Sequence, residues 1–142
     1  MTTIEINNIK EFSELIINEL GSYYKEHIYV NAMCVHLRNN GFLFGNEVIV
    51  PIEYLGVQLG YERADIVIYQ PFKCIIEFKA QTQSLSKKEL NQLIKYQKNM
   101  NIDNGILINF GNSNGKLEFI HNSLKENEEL KEKNEKSTIT ID

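Results

Sequence analysis

Two neighbouring apolar segments constrain the fold more than anything else in this chain. Arg63 to Tyr69 and Lys73 to Ala80 are short and rich in β-branched residues, and only the tight turn Gln70-Pro71-Phe72 separates them. A strand with one wet face alternates apolar and polar residues. Here Ile66-Val67-Ile68 and Cys74-Ile75-Ile76 are apolar at every position, so both faces of each strand need a cover. Helices on both sides of a sheet supply that cover, and the fold class is therefore α/β. Into these strands intrude three charges, Asp65, Glu77 and Lys79. Charges in strands covered on both sides are costly unless they are paired or put to use.

Side chains two apart on a strand share a face, so Glu77 and Lys79 lie together with Phe78 turned away. A turn symmetric about Pro71 sets Asp65 directly opposite Glu77, with Cβ atoms ~5 Å apart. Two adjacent carboxylates repel unless a cation lies between them. Oxygen donors suit Mg²⁺ or Mn²⁺. Such an ion can activate water and stabilise charge on a phosphodiester, and a neighbouring lysine can orient the water or neutralise the transition state. The competing reading is an ordinary surface ion pair between Glu77 and Lys79. The apolar residues flanking both charges favour the site.

Around this pair the chain reads as one domain over residues 1–122 and a polar charged tail over 123–142. Ile9, Phe12, Ile16, Ile17 and Leu20 recur at helical spacing, and Gly21-Ser22 stops that helix. A second helix is expected from about Tyr23 to Asn39, with Ser22 as its N-cap. Glu47 to Tyr54 is a strand in which Pro51 marks an edge or bulge, and Gly56 and Gly60 mark turns. Ser84 or Ser86 opens a helix to about Met100. Gly105 to Phe110 is a buried strand, and Lys116 to His121 can form another. The tail is a solvated helix or disordered.

Composition narrows the chemistry. The formal charge of −4 gives no support to strong non-specific nucleic-acid binding. Half of it comes from Ser123 to Asp142, where four Lys face five Glu and one Asp. Cys34 and Cys74 belong to no CxxC or Cys/His cluster and read as buried free thiols. His27, His36 and His121 are isolated and read as structural or exposed. No apolar run approaches the ~20 residues that cross a bilayer. The start Met1-Thr2-Thr3-Ile4-Glu5 lacks a basic n-region and an apolar h-region, so a soluble intracellular protein, cytoplasmic or nuclear, is the default expectation.

Five short motifs follow one another in order: Glu26-His27-Ile28-Tyr29, Arg63-Ala64-Asp65, Glu77-Phe78-Lys79-Ala80, Gln92-Leu93-Ile94-Lys95-Tyr96 and Asn109-Phe110-Gly111. Together they resemble the PD-(D/E)XK nucleases, and within them the small GxxExxY branch. The branch's leading Gly is replaced here by Tyr23. The resemblance implies a restriction-endonuclease-like core, a mixed central sheet flanked by helices in αβββαβ order. It implies catalytic roles for Asp65, Glu77, Lys79 and Gln92, with Glu26 joining Asp65 and Glu77 as a metal ligand. Lys88, Lys95 and Tyr96 become candidate substrate contacts, although core packing is the stronger reading of Tyr96.

The expected function is a Mg²⁺- or Mn²⁺-dependent nuclease that acts on nucleic acid, DNA ahead of RNA. A homodimer suits a chain with so little surface for gripping substrate, and no membrane is involved. The alternative is a non-catalytic module that keeps the nuclease fold and binds nucleic acid or protein, with an antitoxin or assembly partner as a third reading.

Overall fold

The computed structural model describes residues 3–112 and 114–141, with side chains from Glu5 to Asn112 and from Asn114 to Lys133. Its elements are α1 (Thr3–Leu20), α2 (Glu26–Asn39), β1 (Leu43–Tyr54), β2 (Val57–Gln70), β3 (Cys74–Lys79), α3 (Lys87–Met100), β4 (Asn104–Asn109), β5 (Glu118–Ser123) and α4 (Leu124–Ile141). The expected αβββαβ core is α2 through β4. One helix precedes it, and a strand and a helix follow.

The five strands form one mixed sheet in the order β1-β2-β3-β4-β5. The β2–β3 hairpin has the expected register: Ile66 pairs with Ile76, Val67 with Ile75 and Ile68 with Cys74. β3 and β4 run parallel, a pairing that needs a crossover, and α3 provides it. All six residues of β4 are buried. Ile66, Ile68, Ile76, Phe78, Ile106 and Ile108 pack with α1 and α2. Val67, Ile75 and Leu107 pack on the other side with Leu93 and Tyr96 of α3. The continuous apolar runs are thus explained by two helical layers. β1 is an edge strand, as Pro51 suggests.

Several boundaries differ from expectation. α1 begins at Thr3 rather than Ile9, because Ile6 extends the stripe that packs on the core. α2 begins at Glu26, not Tyr23, and Lys25 rather than Ser22 is its N-cap residue. The connection wraps round Tyr29, whose hydroxyl donates to the Gly21 carbonyl at 2.6 Å and accepts from the Tyr24 N–H at 3.2 Å. Tyr23 lies in that connection, outside the helix and exposed. β1 and β2 are longer than expected, and they close through Leu55 and Gly56, both at positive φ. Gly60 is paired with Ile52 inside the hairpin and is no turn. The last strand starts at Glu118, two residues late.

α3 opens at Ser86, whose backbone N–H donates to Glu89 Oε2 at 2.9 Å in a capping box. The charged tail is helical from Leu124, and Asp103 caps it by accepting from the Lys125 N–H at 2.8 Å. Cys34 and Cys74 are buried free thiols. No helix among the described residues is long and apolar enough to cross a membrane.

Candidate active site

The site lies where the β2–β3 ladder opens. Beyond Ile66–Ile76 the next opposed residues are Asp65 and Glu77, and here side chains replace the backbone bonds. The Asp65 N–H donates to Glu77 Oε2 at 2.7 Å, and the Phe78 N–H donates to Asp65 Oδ2 at 2.8 Å. Each carboxylate thus holds the other strand's backbone with one oxygen. No fully buried side-chain N or O among the described residues lacks a partner, so the remaining oxygens open on solvent.

The same row extends to β1 and turns the sheet over. In a regular strand, residues two or four apart share a face. Yet Phe44 and Ile66 pack with α1 and α2, whereas Val48 and Ala64 pack with α3. The pairing offset is unchanged from Phe44–Ile68 through Asn46–Ile66 and Val48–Ala64 to Ile52–Gly60, so both strands exchange faces together at Glu47 and Asp65. Glu47 has φ of 50°, a left-handed conformation rare for a residue with a side chain. The row Glu47–Asp65–Glu77 therefore crosses three strands at the line where the sheet changes sides.

Glu26, in the first turn of α2, completes the group from above. It lines a cavity of about 200 Å³ with His27, Val30, Asn31, Asn46, Glu47 and Asp65. Burial raises the Glu77 carboxyl to about 8, with the charges of Asp65 and Glu26 adding and Lys79 and the Asp65 N–H opposing. Burial also raises Asp65, against the Phe78 N–H and Lys79. Glu26 is raised by burial and by Asp65, and lowered by Lys79. Lys79 thus acts on all three carboxyls, although it forms no ion pair with any of them.

The neighbouring motif residues build the frame. Asn109 clamps the exit of β3: its Oδ1 accepts from the N–H groups of Gln81 and Gly111, both at 3.1 Å, and its Nδ2 donates to the Gln81 carbonyl at 3.0 Å and to Glu118 at 2.9 Å. A Cβ at Gly111 would fall 2.4 Å from the Ala80 carbonyl carbon, so only glycine lets the two chains approach. Tyr29 stacks on Phe110 at 4.6 Å between centroids, and Phe110 stacks on Phe78 at 6.0 Å.

On the α3 side, Gln92 donates to the Tyr96 hydroxyl at 2.7 Å, which donates to Glu62 at 3.0 Å, and Lys95 pairs with Glu62 at 2.8 Å. Tyr96 is buried, as its packing reading requires, and burial pushes its hydroxyl up to about 12, so it remains a proton donor. The Glu77 charge acts on Tyr96, which links this network to the carboxylates. Lys88 and Lys95 are exposed and line a cavity of about 330 Å³ with Glu62, Asn91 and Gln92.

The structure therefore brings Glu26, Asp65, Glu77 and Lys79 together and sets Gln92, Lys95 and Tyr96 in an adjoining network, with Lys88 farther out. Sequence reasoning missed Glu47, Glu62 and the place of His27 beside the cavity, and it named Asn109 in a motif without giving it a role. Counted from the hairpin tip, Asp65 would face Asn46. A one-residue shift between Ile52 and Glu53 brings Glu47 opposite instead. His36 stacks on Phe12, and His121 bonds Asn104 at 2.9 Å, both structural.

Among the described residues no three His, Cys, Asp or Glu side chains converge closely enough to enclose an ion by themselves. The donor set is a carboxylate pair, each member braced by a backbone N–H and open at its second oxygen. That fits Mg²⁺ or Mn²⁺, which keeps several waters and takes one or two carboxylates plus phosphate oxygens.

A mixed sheet covered by helices, with a carboxylate pair and a lysine at an opened ladder, defines a restriction-endonuclease-like α/β fold. The chain belongs to the PD-(D/E)XK nuclease superfamily, whose family model matches residues 4–121. Members of that superfamily generally use divalent metals such as Mg²⁺ and act on nucleic acid. A similar solved structure is the crystal structure of SSO0001, with 19% identity and a TM-score of 0.51 over 68% of this chain and 48% of that one. The chain spans about half the length of that protein, and the likeness shows the fold alone. No curated protein matches the sequence.

Proposed function

We propose that this protein is a divalent-metal-dependent nuclease of the GxxExxY branch, hydrolysing phosphodiester bonds in DNA. The observation that carries the reading is the reciprocal bracing of Asp65 and Glu77, each on the other strand's N–H, beside the Lys79 charge. Asp65 and Glu77 would hold Mg²⁺ or Mn²⁺, with Glu26 as the third acidic group. The ion supplies Lewis-acid stabilisation of charge on the phosphate. Lys79 orients the attacking water and steadies the negative charge that develops on the phosphate. Tyr96, held by Gln92, feels the Glu77 charge from α3, and its hydroxyl is kept protonated there. Lys88, which forms no ion pair among the described residues, and Lys95 flank the path of the substrate backbone.

The test is cleavage of supercoiled plasmid, single-stranded DNA and structured RNA with Mn²⁺, Mg²⁺ or EDTA, comparing the native chain with Glu77→Ala. Expected is metal-dependent cutting of DNA that falls at least a hundredfold in the variant. Equal cutting by both proteins, or none by either, would replace the enzyme with a binding module on the same fold.

A further inference from the structure

The β1–β2 hairpin outruns the sheet. The β2–β3 register covers Ile66 to Ile68, while β1 and β2 stay paired out to Tyr54–Val57. Below the Glu47–Asp65 row the hairpin is a two-stranded ribbon. One of its faces rests on α3 through Val48, Val50 and Ala64. Alternation turns Ile49 and Tyr61 to the other face, and Tyr54, Leu55 and Val57 form the tip together with Leu59, which the register shift leaves unpaired. All six are more than half exposed, Leu55 to 85% and Leu59 to 66%. A ribbon of two strands is marginal in water on its own, and monomers seldom expose a contiguous apolar patch beyond a few hundred Å².

Charge and area identify the occupant. A nucleic acid or an anionic membrane needs free cations. The cation on this face, Arg63, already leans over the Tyr61 ring at 5.9 Å and reaches Glu47 at 4.0 Å. The charges of this face are of both signs, Arg63 beside Glu47 and Glu53 farther along β1, so two copies can set unlike charges opposite each other, and an isologous contact needs only the same self-complementary patch on both. Two such faces can stack as aligned sheets do. Six half-exposed large side chains offer an area approaching the about 800 Å² per partner of a standard-size interface.

We infer that the chain pairs with a second copy of itself through the outer faces and tips of these ribbons, whatever reaction the site performs. Sedimentation equilibrium of the full chain tests this. The expected result is a species of twice 16.5 kDa at micromolar concentration. Leu59→Glu, at an exposed position, raises the dimer dissociation constant at least tenfold with an unchanged circular dichroism spectrum. Val35→Glu, an equally apolar exposed position on α2, leaves it unchanged. A monomeric native protein, or a dimer that survives Leu59→Glu, overturns the inference. So does a native monomer whose nucleic-acid binding is lost in Leu59→Glu, because the ribbon would then be a wedge for nucleic acid.

Discussion

The two halves of β2 are made of similar residues and live in different surroundings. From Ile66 to Ile68 the strand has a neighbour on each side and a helical layer on each face, and its side chains are fully buried. From Val57 to Ala64 it has β1 beside it and α3 on one face, and Val57, Leu59 and Tyr61 stand in solvent. β-branched and aromatic residues make a strand in both places, but only neighbouring elements make it core. Asp65 sits at the border. A carboxylate deeper in would have no solvent for its second oxygen. One farther out would lose the desolvation that raises Glu77 to about 8 and disposes the pair towards a cation.

That contrast can be broken most severely in the buried half. Phe78 is fully buried in the stack with Phe110, and Phe78→Ala should cost about 3–5 kcal/mol in urea unfolding. Tyr61→Ala on the ribbon should change the stability of the monomer by less than about 0.5 kcal/mol, measured at concentrations low enough to suppress self-association. Similar losses at the two positions would mean that the halves are not distinct.

The border itself is tested at Glu47. Its left-handed backbone suits glycine and strains a β-branched residue. Glu47→Val should lose about 1–3 kcal/mol by the same unfolding measurement, and Glu47→Gly much less. If valine is tolerated as well as glycine, the turnover of the sheet does not depend on that conformation.

A pH dependence tests the same border through its carboxylates. Glu77 moves from 4.5 to about 8 on folding, so between these values the folded chain holds a proton that the unfolded chain has released. The stability from this group is fully present below 4.5 and is lost as pH rises towards about 8. Thermal melting of the metal-free protein should show Tm falling across that window, with a flatter profile for Glu77→Gln. A native Tm that rises over the same range would contradict the raised pKa.

Much of this was legible in the sequence for definite reasons. The two-sided apolar runs dictated covered strands, and the tight turn dictated a register that put Asp65 opposite Glu77. Gly60 was misread because glycine signals a turn and a mid-strand position equally well. Glu47 was hidden by the one-residue shift near the hairpin tip, which no local residue announces. The start of α2 moved to Glu26 because the Tyr29 hydroxyl holds the preceding loop, a long-range bond without a periodic signature. The early start of α1 did have a signal in Ile6, one turn before Ile9.

The column of rings Tyr29, Phe110 and Phe78 joins one residue each from α2, the segment after β4, and β3. Those same segments carry Glu26, the Asn109 clamp and the Glu77–Lys79 pair. The groups of the proposed site are therefore fastened to the deepest part of the interior and have no separate melting of their own. On heating, loss of the proposed activity and global unfolding would trace a single cooperative curve, and a destabilised variant would lose folded molecules from the population while each folded molecule kept its site intact.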